Sequence, residues 1–158
     1  MTLQIAVAVL EREGRWLLQL RDDIEAIVHP GTWGLFGGHL DPGETPEQAL
    51  RRELEEEISW VAGEVRWWFT HQDPHRSLHV FQAPLTVGLE ALELREGQDM
   101  VLAGLTELRS GAIWSPKRQQ TRPLAPSLRL ALQQLHGDGQ AQRDGQGDSA
   151  AGQGKSAP

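Results

Sequence analysis

The chain has 158 residues, of which 39% are hydrophobic and 23% are charged, so its size and composition are those of one globular domain. Cysteine is absent, which excludes a disulfide framework, a thiolate metal site and a cysteine nucleophile. The formal net charge of -7 argues against a protein that binds nucleic-acid polymers, because such binding depends on basic side chains that displace counterions. An acidic protein of this kind can still bind a small anionic substrate if a cation lies between the two.

The sequence contains no apolar run of the ~20 residues that a membrane-spanning helix needs. Its first residues also lack the basic start of a secretory signal. We therefore expect a cytoplasmic protein without membrane contacts.

The first predicted elements are two strands over residues 3–10 and 16–20, joined by a turn at residues 11–14. The apolar runs further along the chain predict strands over residues 65–70, 78–82, 85–87 and 100–102 and helices over residues 105–110 and 127–135. Strands interspersed with helices are typical of a mixed α/β or α+β domain.

The clearest helix is predicted over residues 46–58. Thr45 is a suitable N-cap, Pro46 suits the first helical position, and Gln48 completes a capping box. Its apolar positions recur every four residues and form a narrow stripe, which consists of Leu50, Leu54 and Ile58.

The composition changes at Gly137. From there to Pro158 the chain contains no Leu, Ile, Val, Phe or Trp. Such a segment cannot offset the entropy lost on ordering, so we expect a folded domain over residues 1–136 and a disordered tail over residues 137–158.

Three acidic residues share one side of the predicted helix, because Glu53, Glu56 and Glu57 are spaced i, i+3 and i+4. Glu57 falls at the edge of the apolar stripe, so we expect it to be half buried. Like charges at this spacing repel one another, and a hard divalent cation such as Mg²⁺ would turn the repulsion into attraction. The alternative is an ordinary solvated helix face on which Arg52 pairs with Glu56. The helix alone leaves both interpretations open.

The segment before the helix, residues 33–44, contains four glycines and a proline. Glycine permits positive φ and lets the backbone approach a ligand closely. The segment leads into a helix N-terminus, which favours anions. A glycine-rich loop beside a carboxylate cluster is therefore a coherent site for a metal ion and a phosphate.

Residues 38–60 read GHLDPGETPEQALRRELEEEISW. This segment resembles the Nudix box of the Nudix hydrolases, whose pattern is G-x5-E-x7-R-E-U-x-E-E-x-G-U, where U is a bulky apolar residue. The positions that agree are Gly38, Glu44, Arg52, Glu53, Leu54, Glu56, Glu57 and Trp60. The chain departs from the pattern at Ser59, where the family has glycine. The resemblance covers residues 3–135 and omits the tail.

The resemblance implies an α/β/α sandwich with a mixed sheet, in which Glu53, Glu56 and Glu57, often with the Gly38 carbonyl, hold Mg²⁺ or Mn²⁺. Arg52 would orient a carboxylate. The implied reaction is hydrolysis of the diphosphate linkage between a nucleoside diphosphate and another group X. The implied partner is a small anionic nucleotide-type substrate, and a homodimer is common in the family.

Several points stay open at this stage. The general base is either Glu56, within the cluster, or Glu96, on a later loop. The identity of X, and with it the substrate, is also open. The candidate substrates are oxidised nucleotides, ADP-ribose, dinucleoside polyphosphates and coenzyme A. The alternative function is a non-catalytic domain of the same fold that senses a nucleotide or binds a partner, and an isomerase is a weaker third option.

Overall fold

Nine strands, three α-helices and one short 3₁₀ helix form the part of the chain that the computed structural model describes, residues 2–25 and 27–152, with side chains up to residue 142. The strands are β1 (Leu3–Arg12), β2 (Arg15–Leu20), β3 (Trp33–Gly34), β4 (Phe36–His39), β5 (Arg66–Gln72), β6 (Arg76–Pro84), β7 (Asp99–Ala103), β8 (Ala112–Ser115) and β9 (Gln120–Pro123). The helices are α1 (Pro46–Ile58), α2 (Leu105–Arg109) and α3 (Pro126–Gly152), and the 3₁₀ helix is Leu89–Ala91.

Strand β1 is the centre of a seven-stranded mixed sheet. It pairs in parallel with β6 and antiparallel with β4, and a tight turn joins it to β2. Strand β2 in turn pairs antiparallel with β3 and β7, whereas β8 and β9 form a separate two-stranded sheet. The hairpin turn consists of Glu13 and Gly14, both with positive φ, as a two-residue type I′ turn requires.

The sheet is covered on both faces, which explains why every residue from Ala6 to Leu10 is buried. Ala6, Ala8 and Leu10 belong to the core cluster that contains the apolar stripe of α1. Val7 and Val9 belong to the other cluster, which contains residues of α2 and α3. The predicted α/β/α sandwich with a mixed sheet is thereby confirmed.

The structure differs from the prediction at two places on the sheet. The glycine-rich segment contributes β3 and β4 instead of a continuous loop, because Gly37 and Gly38 pair with β1 despite their poor strand propensity. Residues 85–87 are not a strand. The backbone N–H of Leu85 donates to Glu11, 2.8 Å away, and the chain then leaves the sheet towards the 3₁₀ helix.

Helix α3 is longer than predicted, since it begins at Pro126 and continues past Leu135 to Gly152. Asp138, beyond the predicted end, ties the helix to β5 because it accepts a hydrogen bond from Trp68 Nε1 (2.7 Å). Gln134 Nε2, one turn earlier on α3, also donates to Asp138 (2.9 Å). The predicted domain boundary at residue 137 therefore falls within this helix. Residues 153–158 lie outside the described residues, and disorder of the tail stays a prediction.

Ser59 ends α1 in the left-handed conformation, with φ 57 and ψ 37, as the glycine of the family pattern would. Its side chain is exposed, and its N–H donates to Glu55 O, 3.1 Å away. Because glycine adopts this conformation without a steric cost, Ser59→Gly is expected to raise the free energy of unfolding by ~1 kcal/mol in denaturant titrations.

The same substitution at Ser110 is the matched control. Ser110 ends α2 with φ -67, and its hydroxyl donates to Glu107 O and Ala112 O. Ser110→Gly should therefore lower stability. If Ser59→Gly also lowered the free energy of unfolding, the positive φ of Ser59 would not be a source of strain.

Candidate active site

The capping box predicted for α1 fixes the start of the helix. The Thr45 hydroxyl accepts from the Gln48 N–H (3.2 Å), and the Gln48 side chain accepts from the Thr45 N–H (2.9 Å). The apolar stripe of α1 is fully buried against the sheet. Together these contacts place the polar edge of α1 beside β4.

Arg52 joins that edge of the helix to the segment before it. Its Nε and Nη2 donate to the two carboxylate oxygens of Glu44, at 2.8 and 2.9 Å, in a bidentate pair. Nη2 also donates to the His39 carbonyl, 3.0 Å away. The hydrogen bonds from Arg52 and from the Asp41 N–H hold the pKa of Glu44 below its usual value. Glu44 thus holds the Arg52 guanidinium in place through this bidentate pair.

Arg52 also holds two of the predicted metal ligands. Its Nη1 donates to Glu53, 3.0 Å away, and to Glu56, 3.2 Å away. Glu53 is largely buried, with 16% of its side chain exposed, whereas the Glu56 side chain is 58% exposed. The helix-surface pair of Arg52 and Glu56 is therefore present, but it is one branch of a larger network.

Replacing Arg52 by lysine tests this network. An ammonium keeps the charge but not the forked geometry, so Glu53 and Glu56 would lose their fixed orientation. We expect turnover to fall about 10-fold and the metal concentration for half-maximal activity to rise, since hydrogen bonds to charged groups are worth ~1.5–3 kcal/mol.

Arg51→Lys is the matched control, because Arg51 donates to the carbonyls of Ala62 and Gly63 on the far side of α1. It should lose stability without changing the metal requirement. An unchanged metal requirement in Arg52→Lys would reduce Arg52 to a structural role.

Glu57 lies in the interior, with 5% of its surface exposed, deeper than its position at the edge of the apolar stripe suggested. The Gly37 N–H donates to its Oε2, 3.2 Å away. Burial, and then the charges of Glu96 and Glu53, raise the pKa of Glu57 to about 9. No arginine, lysine or histidine among the described residues pairs with it. The fold thus brings acidic groups together at Glu57 without a local cation to balance them.

A side chain at Gly38 would have to displace the Glu53 carboxylate. A Cβ there would lie 2.7 Å from Glu53 Cδ, so the carboxylate occupies the space of a side chain. The backbone of β4 and the Glu53 carboxylate are consequently in contact, as expected if both bind one ion.

Glu96 lies on the loop before β7 and lines the same cleft as Glu57. The Gln19 side chain on β2 donates to the Glu96 carbonyl (2.9 Å), and the Arg95 N–H donates to the Glu57 carbonyl (2.8 Å). The loop is thereby fixed to both β2 and the end of α1. Gln19 was missed by the sequence analysis, although a polar residue within the apolar run of β2 was a usable signal.

These residues face a cleft of about 690 Å³. Its acidic lining is Asp41, Glu53, Glu57 and Glu96, its apolar lining includes Ile5, Val7, Leu35 and Leu78, and its basic lining includes Arg21, His29 and Arg76. Gly38 lines it too, whereas Glu56 and Arg52 lie beside it. The structure therefore brings Gly38, Glu53, Glu57 and Glu96 into one cavity and places Glu56 and Arg52 at its edge.

The donor set fits a hard divalent cation. Carboxylate and backbone oxygens are the ligands that Mg²⁺ and Mn²⁺ take, and a buried, unbalanced carboxylate such as Glu57 favours a cation nearby. Within residues 2–25 and 27–152, no three acidic or histidine side chains stand close enough together to hold a metal as they are oriented.

Comparison with known proteins identifies the family of this fold. The family model of the NUDIX domain matches residues 2–122. The chain belongs to the NUDIX domain family. Curated relatives include a nucleoside triphosphatase NudI from Enterobacter sp. (strain 638), which is 43% identical over 54 residues. That match covers 34% of this chain and only 38% of the relative.

Solved structures show the same NUDIX fold. A MutT NUDIX hydrolase from Burkholderia pseudomallei superposes with a TM-score of 0.65 at 24% identity, over 85% of this chain and 98% of that one. The NUDIX domain of Shewanella oneidensis NrtR, solved as a complex with ADP ribose, superposes with a TM-score of 0.64 at 20% identity, over 87% and 88%.

Three further points concern membrane contact, the basic residues of the cleft and the oligomeric state of this NUDIX domain. Across the described residues, every helix is too short or too polar to cross a membrane. Among the basic residues of the cleft, the sequence analysis did not predict His29 and Arg76, which lie on separate segments and carry no local motif. A homodimer stays a prediction.

Proposed function

We propose that this NUDIX domain is a hydrolase that cleaves the diphosphate linkage of a nucleoside diphosphate joined to a group X, with Mg²⁺ or Mn²⁺. The observation that carries the proposal is the convergence of Glu53, Glu57 and Glu96 on one cleft, with no basic partner for Glu57 among the described residues. A buried acid beside two further acids favours the binding of a divalent cation, which the proposed hydrolysis requires.

The residues that would hold the metal are Glu53, Glu56, Glu57 and the Gly38 backbone. When bound, the metal would neutralise the diphosphate and lower the pKa of water. The chain itself orients the ligands, because Arg52 fixes Glu53 and Glu56 while the Gly37 N–H fixes Glu57. The apolar side chains of the cleft, such as Leu35 and Leu78, would pack against the nucleoside and reduce the water around the reacting group.

Glu96 is the general base that the geometry supports. It lines the same cleft as Glu57, and its loop is held by Gln19 and by the end of α1. Glu56, the other candidate, is mostly exposed and bound to Arg52. A carboxylate within the cleft and without an arginine partner is better placed to accept a proton from the attacking water.

The direct experiment is chromatographic detection of the nucleoside monophosphate that the purified protein forms from a panel of nucleoside triphosphates and diphosphate-linked nucleotides, with Mg²⁺, with Mn²⁺ or with a chelator. Water cleaves the linkage to give this monophosphate and phosphorylated X, or pyrophosphate from a triphosphate, and we expect turnover with at least one compound that the chelator abolishes. The binding-domain alternative, which the likeness to the NrtR domain motivates at the level of fold, predicts nucleotide binding in calorimetry without any monophosphate. Saturable binding and no product would overturn the proposed hydrolase.

A further inference from the structure

A second cavity, of about 510 Å³, lies where α2, α3 and the open end of the β8–β9 hairpin meet, and we name it the α2–α3 groove. Among the described residues, none lines both this groove and the cleft that contains Glu57. Helix α3 passes from one to the other, because Pro126 and Ser127 line the cleft and residues from Arg129 to His136 line the groove. The proposed hydrolysis therefore makes no use of the groove.

The floor of the α2–α3 groove is apolar. Leu108 and Leu124 are buried there, whereas Leu132 and Leu135 of α3 are half-buried and stay in contact with water. A ligand that covers these two leucines removes apolar surface from water, which is the main driving force of most protein association. The floor thus favours a ligand with apolar side chains.

The basic side chains that line the α2–α3 groove are exposed. Arg109 ends α2, and its guanidinium has no hydrogen bond or carboxylate partner among the described residues. Arg129 donates from Nε to the Leu124 carbonyl, 3.2 Å away, and no described residue binds its two terminal nitrogens. His136 lies two turns further along α3. The groove therefore presents hydrogen-bond donors that have no acceptor within the described part of the chain.

The charge of this region is opposite to that of the whole protein. Residues 108–137 contain five lysines and arginines and no aspartate or glutamate, in a chain with a net charge of -7. The two acids that border this segment have other partners, since Glu107 accepts from the Gly104 N–H (3.3 Å) and Asp138 accepts from Trp68 Nε1 (2.7 Å). The positive charge of the groove thus attracts an acidic ligand.

Shape and composition distinguish the possible occupants of the α2–α3 groove. A second copy of the same groove would bring like charges together, and a bilayer requires apolar side chains that project instead of lining a concave surface. The described lining has no aromatic side chain on which a nucleic-acid base could stack. Sites for small molecules enclose most of the ligand, whereas this groove is more open than the cleft. An open groove suits a segment of a larger partner.

We propose that the α2–α3 groove binds a segment of a partner protein in which leucine-like side chains are flanked by aspartate or glutamate. The apolar side chains of the segment pack on Leu132 and Leu135, and its carboxylates accept hydrogen bonds from Arg109 and Arg129. The domain would thereby bind a partner at a surface that is separate from its substrate cleft.

The charge of the groove is tested with a random peptide library displayed on phage and selected on the full chain. The enriched peptides are then synthesised and titrated in calorimetry, and we expect them to combine acidic and aliphatic side chains. Arg109→Glu should weaken their binding at least ~10-fold, because it turns attraction into repulsion. Arg66→Glu, on the edge strand β5 and outside the groove, is the matched control and should leave the affinity unchanged. No enrichment, or equal affinity for Arg109→Glu, would overturn the proposal.

The apolar floor is tested with Leu132→Asp, which should weaken peptide binding at least ~10-fold, and with Val61→Asp, an exposed position outside the groove, as its control. If Leu132→Asp fails to fold, Arg109→Glu still decides, since Arg109 has no polar contact among the described residues to lose. Glu57→Gln should bind the peptides with wild-type affinity, so this result is independent of the proposed hydrolysis. Displacement of the peptides by decanoate or a short oligothymidylate, or a dimer that Leu132→Asp dissociates, would overturn the proposed occupant.

Discussion

Replacing Glu57 by glutamine is expected to lower turnover at least ~100-fold, the scale of a lost preorganised electrostatic contact. The amide keeps the shape of the side chain and an oxygen that accepts the Gly37 N–H. It loses the charge that would bind a cation between α1 and β4. The steady-state rate of nucleoside monophosphate formation at saturating Mg²⁺ measures the effect, and Glu55→Gln, on the exposed side of the same helix, should retain wild-type turnover.

The same variant is expected to be more stable than the wild type without metal. The pKa of Glu57 is raised from 4.5 to about 9, so the folded state holds this proton more tightly than the unfolded state does. That contribution to stability is fully present below the unfolded pKa of 4.5 and is lost as pH rises through about 9. Glutamine has no charge to lose, so in a chelating buffer its advantage should grow over this pH range.

Thermal unfolding at a series of pH values checks this expectation, with a difference of several degrees at the alkaline end. Added Mg²⁺ should stabilise the wild type and leave Glu57→Gln unchanged, because a ligand of the folded state raises its stability. If the variant were equally active, or less stable than the wild type under all conditions, the assignment of Glu57 to a metal site would be wrong.

The part of the site that the sequence predicts is the part that is local in the chain. Thr45 and Gln48 are three residues apart, and Glu53, Glu56 and Glu57 lie on one helix, so spacing alone fixes their relation. The left-handed conformation of Ser59 is also local, because Ser59 is the residue at which α1 ends. Local chemistry determines these features before any tertiary contact forms.

The rest of the site depends on pairings that no local pattern contains. Arg76 enters the cleft because β6 runs parallel to β1, and Gln19 reaches Glu96 across a separation of 77 residues. The strands around Gly37 and Gly38 are likewise stabilised by their neighbours and not by their own propensity. Burial of Glu57 is the clearest example, because the helix pattern placed it at the edge of the apolar stripe and tertiary packing covers it.

The two candidates for the general base are expected to respond differently to loss of charge. Glu96→Gln should lower kcat ~100-fold or more, the usual contribution of a general base, with little change in KM or in the metal concentration for half-maximal activity. Glu56→Gln should mainly raise that metal concentration, since Glu56 belongs to the Arg52 network at the edge of the cleft.

Glu93→Gln is the matched control for Glu96, because Glu93 lies on the same loop with 69% of its side chain exposed. Its kcat should equal that of the wild type, which would exclude a general effect of changing the loop. The reverse pattern, with kcat lost in Glu56→Gln and the metal requirement changed in Glu96→Gln, would exchange the roles. The loop would then supply a metal ligand, and the exposed face of α1 would supply the base.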